Sequence, residues 1–245
     1  MNLDKKFIVE NLKTLIYALI IAIFIRSFFF QPFYIPSSSM EPNLLVGDRL
    51  FVSKYTYGYS KNSFPFSPNL FKGRLLFTEP KRGDVVVFKT PADNRTDYIK
   101  RLIGIPGDSI QFINGNIYLN NNQIDKTIIS KEQSIFCGNN KFIVQTFKEK
   151  LPNGKIYKAS YSKYDTFQNS DKFVIPENYY FFLGDNRDCS KDSRYLGSVG
   201  YVHMDNLVGK ARIIFFSSDR KIGSIFKFWK WNKSIRFERI FKLIK

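Results

Sequence analysis

An apolar segment close to the N-terminus, Leu12 to Phe30, constrains this chain more than any other feature. Its 19 residues would span about 28 Å as a helix, which is close to the hydrocarbon thickness of a bilayer. The uninterrupted apolar part, residues 15–25, is no longer than the core of a cleavable secretion signal, so a cleaved signal is the alternative. Arg26 and the bulky aromatic residues after it suit a membrane–water interface, however. We therefore predict an uncleaved transmembrane anchor over residues 12–30.

Charges around this anchor predict its orientation. Lys5, Lys6 and Lys13 flank its start, and positive charge in a short flanking segment favours the cytoplasmic side. The positive charge beyond the anchor is spread over a long domain, which crosses a membrane largely regardless of charge. We predict a single-pass protein of the plasma (inner) membrane, with residues 1–11 in the cytoplasm and the body in the extracytoplasmic or periplasmic space.

Composition narrows the class of protein. The chain has 245 residues, of which 17% are aromatic, so a folded core is expected rather than disorder. A net charge of +17 would suit nucleic acid or anionic lipid, but an extracytoplasmic body disfavours nucleic acid. The single histidine, His203, and the two cysteines, Cys137 and Cys189, form no zinc motif. We expect no metal and no other cofactor, and the pairing of the cysteines is left open.

Beyond the anchor, short alternating apolar runs are separated by Gly, Pro, Asn and Asp, which is typical of antiparallel β-structure. Residues 57–80 show no clear period and are predicted to be a long loop. The predicted strands are Arg49–Val52, Val85–Phe88, Asp97–Gly104, Ile110–Ile113, Ile117–Leu119, Phe173–Ile175, Tyr179–Leu183 and Ala211–Phe216.

The fold class predicted from this pattern is mainly β. Residues 31–119 and 173–217 form the core, and the polar, weakly patterned residues 120–172 form an inserted smaller cap subdomain. Residues 218–245 are a basic aromatic tail, whose basic positions recur every three residues and form no single helical face. This tail is either in contact with the membrane interface or a frayed basic terminus.

A serine-rich stretch, Pro36 to Leu44, follows the anchor and sets three hydroxyls between two prolines. Proline restricts itself and the residue before it to extended conformations, so these side chains are displayed rather than wound into a helix. A serine in this place is either a linker residue or a nucleophile. A nucleophile would need a base to take its proton.

Two residues are candidates for that base. His203 is the first, although nothing else in its surroundings marks it. Lys100 is the second, because it lies in an apolar strand, whereas most other lysines have polar neighbours. A lysine acts as a base when burial lowers its pKa from about 10.4 to about 7–8, which corresponds to roughly 4 kcal/mol in favour of the neutral amine. Arg101 is adjacent, so at least one of this pair must face elsewhere.

A dense polar loop, Gly184 to Tyr195, follows an aromatic strand. Its charges alternate in sign, so it could hold itself together through ion pairs, or it could be an ordinary solvated loop. Loops on rigid scaffolds commonly carry function, which favours a shaped loop near a site.

Four motifs, in this order, resemble those of bacterial type I signal peptidases, which are membrane-anchored Ser-Lys proteases. They are Pro-Ser-x-Ser-Met-x-Pro, Arg-Gly-Asp-Val-Val-Val-Phe, Tyr-Ile-Lys-Arg with Gly-x-Pro-Gly-Asp, and Gly-Asp-Asn-Arg-Asp-x-Ser-x-Asp-Ser-Arg. Two positions depart from the family pattern, since Cys189 stands where Asn is usual and Leu196 where Trp is usual. Neither position is the nucleophile or the base, so we expect the departures to affect loop packing rather than activity.

The resemblance implies a role for each of these residues and a signal-peptidase-like antiparallel β core. Ser39 is expected to be the nucleophile and Lys100 the neutral general base. The Ser39 N–H and the Ser37 hydroxyl would form the oxyanion hole, and Ser190 would hydrogen-bond to Lys100. The residues expected to support the site structurally are Met40, Tyr98, Asp185, Arg187, Asp192 and Arg194.

The implied function is removal of N-terminal signal peptides from exported preproteins, after small residues at −1 and −3, at the membrane surface. The expected partners are preprotein signal peptides and membrane lipid, with no nucleic acid and no obligate protein partner. A self-cleaving Ser-Lys protease of the repressor type is one alternative, although no DNA-binding module is recognisable. A membrane-anchored basic binding module without catalysis is another, and intact Ser39 and Lys100 speak against it.

Overall fold

The computed structural model describes residues 5–65, 67–69, 71–164, 166–219, 222, 229 and 231–245. Its helices are α1 (Lys5–Phe28) and the short α2 (Trp231–Ser234). Its strands are β1 (Phe30–Tyr34), β2 (Asp48–Ser53), β3 (Val85–Lys89), β4 (Asp97–Gly104), β5 (Ser109–Ile113), β6 (Asn116–Leu119), β7 (Asn122–Gln123), β8 (Asp125–Cys137), β9 (Asn140–Lys150), β10 (Ile156–Ser162), β11 (Phe173–Val174), β12 (Tyr179–Leu183), β13 (Val202–His203) and β14 (Leu207–Ser217).

Helix α1 carries the apolar segment and is exposed from Phe7 to Arg26. Within the described part of the chain, residues Phe7–Phe28 form the one helix long and apolar enough to cross a membrane. The helix includes residues 5–11 of the segment predicted to be cytoplasmic, where no proline or glycine interrupts it. Its last residue, Phe28, packs edge-on against Tyr59 and Phe64, each at 5.6 Å between ring centroids. The helix end is thereby fixed to the body.

Seven strands form a large antiparallel sheet in the order β1-β2-β14-β3-β4-β12-β13. Three strands separate β1 from β4, which would place them about 19 Å apart in a flat sheet. Register shifts in β14, opposite both β2 and β3, add bends to the natural twist of the sheet. The sheet therefore curls, and the segment that follows β1 reaches β4.

Two smaller antiparallel sheets complete the fold. The cap sheet, β10-β9-β8, is built from residues 125–162, which lie within the predicted insertion. The other sheet, β11-β5-β6-β7, includes the predicted hairpin, which turns at Asn114 and Gly115, both with positive φ. The assignment of residues 120–172 to a separate subdomain stays a prediction.

The buried apolar residues fall into three clusters. One fills the curl of the large sheet and includes Ile35, together with Met40 and Leu44 from the serine-rich stretch. A second joins the large sheet to the cap, where Phe181 and Leu183 pack with Tyr157. The polar loop after β12 follows directly on Leu183 of this second cluster.

Most predicted strands are confirmed within a residue or two, and β4 has the predicted bounds. The aromatic residues after the anchor were predicted only to line a membrane interface. The structure shows that Phe30–Tyr34 also forms a strand, which pairs with β2. Residues 57–80 contain a 3-10 turn at Lys61–Ser63 and are otherwise mostly irregular, with residues 66 and 70 outside the described ones.

In its described part the tail packs on the body, so the prediction of a frayed terminus is wrong for residues 231–245. Leu243 bridges to Ile213 of β14, and Ile235 bridges to Ser218. Arg239 is buried and donates to both oxygens of Asp48, which is also buried. A buried carboxylate needs such a partner, and the sequence spacing could not reveal it. The remaining tail residues, 220–221, 223–228 and 230, lie outside the described ones.

Candidate active site

The serine-rich stretch folds into a tight turn after β1. Residues Ser38–Met40 form one turn of 3-10 helix, closed by a hydrogen bond of 3.0 Å from the Glu41 N–H to the Ser38 carbonyl. Met40 is fully buried in the core of the curled sheet together with Ile35 and Leu44. The apolar residues on either side of the serines thus fix the turn, and Ser39 is held in one orientation.

Lys100 on β4 meets this turn. Only 2.7 Å separates Lys100 Nζ from Ser39 Oγ, and the amine also donates to the Ile99 carbonyl at 3.1 Å. Lys100 is 5% exposed and Ser39 is 7% exposed, so water has little access to the contact. Successive residues of a strand face opposite sides, and Arg101 accordingly points away from Ser39 toward the cap.

The surroundings of Lys100 favour its neutral form. Burial lowers its pKa to about 8, because a charged ammonium loses its hydration there. The carboxylates of Asp192 and Asp185 act in the opposite direction, and the Arg194 guanidinium lowers the pKa further. The centroid of the Tyr98 ring lies 5.3 Å from the amine, and Met40 is buried in the core cluster, so the role predicted for them in keeping Lys100 dry stays a prediction. A serine hydroxyl in contact with an amine of this kind can lose its proton to it.

The polar loop after β12 is hydrogen-bonded to the backbone of the serine turn. The Asn186 backbone N–H donates to the Ser39 carbonyl and its side chain donates to the Ser38 carbonyl, both at 3.1 Å. Gly184 lies so close that an added Cβ would be 2.6 Å from the Ser39 carbonyl oxygen and 2.2 Å from Ser190 Oγ. A glycine is required there, and the loop backbone acts as the rear wall of the site.

Buried ion pairs hold the loop. Arg194 pairs with Asp192 at 2.8 Å, as predicted for a loop that braces itself. Asp185 instead accepts two bonds of 2.7 Å from Arg101 of β4. Arg187 pairs with Glu149 of the cap at 2.6 Å. The loop is therefore anchored mainly to its neighbours.

Two predicted site residues are placed differently from Ser39 and Lys100. Ser37 Oγ lies 3.4 Å from Ser39 Oγ on the exposed side of the turn. Ser190 Oγ is buried beside Gly184, but it meets no described residue with the geometry of a hydrogen bond. The predicted bond from Ser190 to Lys100 is thus not formed here, and the amine donates to Ser39 and Ile99.

The two cysteines are bonded to each other. Cys137, the last residue of β8, forms a disulfide with Cys189 of the polar loop, with 5.6 Å between their Cα atoms. Cys189 Sγ lies 3.1 Å from Ser38 Oγ, so the bridge touches the serine turn.

His203 is not part of this arrangement. It lies on β13, at the edge of the large sheet, and its Nδ1 accepts a hydrogen bond from the Asp205 N–H at 3.3 Å. Its ring packs edge-on against Tyr179 at 5.0 Å. Among the described residues, the side chains in contact with Ser39 Oγ are those of Lys100 and Ser37.

The known proteins that are similar to this chain are signal peptidases. A family model described as "Signal peptidase, peptidase S26" matches residues 8–216. The chain belongs to this family. Signal peptidase I of Rickettsia typhi is 42% identical to it, over 97% of this chain and 94% of the relative. Signal peptidase I of Rickettsia prowazekii is 41% identical, over 98% and 95%. The crystal structure of a signal peptidase I from Enterococcus faecalis is 24% identical, covers 54% of this chain and 97% of its own, and has a TM-score of 0.33.

Family motifs account for the residues at the centre of this signal peptidase site but not for all of its supports. Asn43 donates to Asp185 at 2.7 Å, and Glu149 sits between Arg187 and two buried tyrosines, Tyr157 and Tyr161. Their partners are distant in sequence. The only signal that could have indicated them is the rule that a buried charge needs an oppositely charged or hydrogen-bonding partner. Of the two departures from the family pattern, Leu196 is exposed, whereas Cys189 is bridged to the cap.

Proposed function

We propose that this chain removes N-terminal signal peptides from preproteins with Ser39 as nucleophile and Lys100 as base. The observation that carries the proposal is the 2.7 Å contact between Ser39 Oγ and a buried lysine amine whose pKa is lowered to about 8. A neutral amine at this distance is within reach of the proton it must take. The names of the relatives, signal peptidase I, supply the class of substrate.

In this mechanism Lys100 accepts the Ser39 proton while Oγ attacks the scissile carbonyl carbon. The negative oxygen that develops is stabilised by the Ser39 N–H and by the Ser37 hydroxyl, each donor being worth about 2.7–4 kcal/mol. Lys100 then gives its proton to the leaving amine, and an acyl-enzyme remains on Ser39. Lys100 next takes a proton from water, and the hydroxide oxygen attacks the ester carbon. Lys100 then returns that proton to Ser39 Oγ as the C–Oγ bond breaks, which releases the signal peptide and restores the enzyme.

Substrate selection is proposed to follow from the edge of the sheet. Strand β1 is the first strand of the large sheet, so an extended preprotein segment could add beside the serine turn. Small residues at −1 and −3 would fit the shallow space next to Ser39 and Lys100. Met40, Tyr98, Asp185, Arg187, Asp192 and Arg194 would support the site, and Ser190 would position Lys100 once its hydroxyl turns toward the amine.

The location of the enzyme is part of the proposal. Helix α1 would be the single anchor in the plasma (inner) membrane, with membrane lipid around it and the N-terminus in the cytoplasm. The disulfide supports an extracytoplasmic body, because disulfides persist in oxidising compartments. Residues 31–119 and 173–217 would act as the catalytic core and 120–172 as the cap, with no nucleic acid and no obligate protein partner.

Cleavage of a model preprotein in detergent tests the function. We expect the wild type and His203→Ala to cleave, and Ser39→Ala and Lys100→Met to be inactive although folded by circular dichroism. Loss of activity in His203→Ala with retention in Lys100→Met would overturn the Ser-Lys assignment. A folded but inert wild type would instead favour an anchored basic binding module.

A further inference from the structure

The outer end of the cap sheet is a two-stranded ribbon. Strand β10 pairs only with Val144–Lys150 of β9, so residues 134–143 of β8 and β9 extend beyond the third strand of the cap sheet. Irregularities in register between Ile128 and Gln133 bend β8 just before the ribbon begins. A two-stranded ribbon in water is at best marginally stable by itself. The position of its tip therefore depends on what the tip is fastened to.

The tip is fastened to the active-site loop by a covalent bond. The Cys137–Cys189 disulfide joins the last residue of β8 to the residue before Ser190. Cys189 Sγ also contacts Ser38 Oγ at 3.1 Å, one residue before Ser39. The bridge thus sets the distance between the ribbon tip and the serine turn.

Between the tip and the turn lies a cavity of about 490 Å³. Ser37 and Ser38 line one side of it, and Ile135 and Phe136 of the ribbon line the other. Ser37 Oγ is 3.4 Å from Ser39 Oγ, so a chain that occupied this cavity would lie next to the nucleophile. The side chain of Phe136 is 50% exposed and contributes apolar surface to the cavity wall.

We propose that the disulfide-tethered tip of the β8–β9 ribbon is a wall of the substrate cleft and selects an apolar preprotein side chain near the scissile bond. This rests on the proposed function and names a specificity element for it. The cavity is far larger than the side chain of an alanine, so it does not serve the small residues at −1 and −3. It suits a larger apolar residue at a neighbouring position, packed against Ile135 and Phe136.

Reduction of the bridge is the first test. The chain has two cysteines, so a dithiol such as dithiothreitol has a single target in it. The reaction takes two electrons and two protons from the dithiol, which closes to a cyclic disulfide and leaves thiols at Cys137 and Cys189. With the full-length protein in detergent, we expect kcat/KM for a peptide with an apolar flanking residue to fall about tenfold on reduction. Cys137→Ser should start at that lower value and not respond to the dithiol.

A side-chain test identifies the wall itself. Peptides that carry Phe or Ala in turn at −4, −2, +1 and +2 are cleaved by the wild type and by Phe136→Ala. Ile128→Ala serves as the control, because Ile128 lies on the same strand and is 54% exposed, but is outside the ribbon and the cavity. We expect Phe136→Ala to lose about tenfold preference for Phe at one position, through KM, while Ile128→Ala keeps it.

The outcomes separate the two proposals. If the wild type cleaves, but neither reduction nor Phe136→Ala changes the preference at any position, the ribbon is not a wall of the cleft. An equal loss for all peptides, carried by kcat, would also overturn the inference, since it would show that the bridge only supports the serine turn. A wild type that cleaves no preprotein contradicts the proposed function instead.

Discussion

More than one lysine in this molecule has a lowered pKa, so a lowered pKa alone does not locate the active site. Burial lowers the pKa to about 8 for Lys54 and Lys126 as well as for Lys100. The Lys54 amine donates to the Ser63 carbonyl, and the Lys126 amine lies 3.4 Å over the Tyr161 ring. Of these three, only Lys100 contacts a hydroxyl that could become a nucleophile. The contact, and not the pKa alone, distinguishes a base from a buried lysine.

The pH dependence of cleavage follows from the Lys100 pKa. Below about 8 the amine is protonated and cannot accept the Ser39 proton, so kcat/KM should fall about tenfold per pH unit on the acid side. It should level off above the pKa. Initial rates between pH 6 and 10, with the fold checked at each pH, measure this. A rate that is already constant from pH 6 upward would exclude Lys100 as the base.

The same residue also affects stability, with a defined sign. Its folded pKa is below the value near 10.5 of an exposed lysine, so the unfolded chain binds more protons between about pH 8 and 10.5. Stability should therefore rise with pH across that window. Below pH 8 the buried charge costs up to about 3 kcal/mol, which Lys100→Met should recover in part. We expect this inactive variant to melt higher than the wild type at pH 7 and to lose that advantage at pH 10, by thermal unfolding in detergent.

At the scale of elements, the site is a contact between a turn and a strand, held by a third segment. The turn belongs to the end of β1 and Lys100 to β4, while the polar loop after β12 bonds to both through Asn186 and Asp185. The Asp185–Arg101 pair is almost fully buried, with 1% of each side chain exposed. Removing one member of such a pair leaves the other charge without a partner in the interior.

Arg101→Met should accordingly destabilise the protein by about 3–5 kcal/mol and slow cleavage, because the freed Asp185 no longer holds the loop behind Ser39. The double variant Arg101→Met, Asp185→Leu should recover part of the stability, since it removes both charges. Arg95→Met is the matched control, because Arg95 is exposed. Urea unfolding of the variants in detergent measures the differences. Equal stability of Arg101→Met and Arg95→Met would show that the pair does not hold the loop.

The elements were largely predictable from sequence, whereas their supports were not. The turn at residues 105–108 sets the end of β4, and the Asn114-Gly115 pair defines the hairpin between β5 and β6, because both signals lie within a few neighbouring residues. Glu149 gave no such signal, since its carboxylate is matched by Arg187, 38 residues further on. Strand β1 was hidden for a related reason, as its aromatic residues also suit a membrane interface. Signals that depend on tertiary contact were the ones missed.

At the scale of the whole molecule, the tail closes the curled sheet on the side of the site. Lys245 accepts a hydrogen bond of 2.9 Å through its carbonyl oxygen from Arg101, the residue that also holds Asp185. Asp48, at the start of β2, is fully buried and receives bonds from Arg239, from the Ser217 hydroxyl and from the Leu45 N–H. The tail, β2 and β14 thus meet at one carboxylate, and Leu45 connects it to the serine-rich stretch.

This junction predicts that the tail stabilises the body of the enzyme whether or not it touches a membrane. Arg239→Met should destabilise the protein by about 3–5 kcal/mol, because it removes the arginine partner of the buried Asp48. Lys242→Met, a tail residue with an exposed side chain, is the control and should change stability by less than about 0.5 kcal/mol. Both variants are compared by urea unfolding in detergent without lipid. If they behave alike there, and differ only when anionic vesicles are added, the tail acts on membranes rather than on the fold.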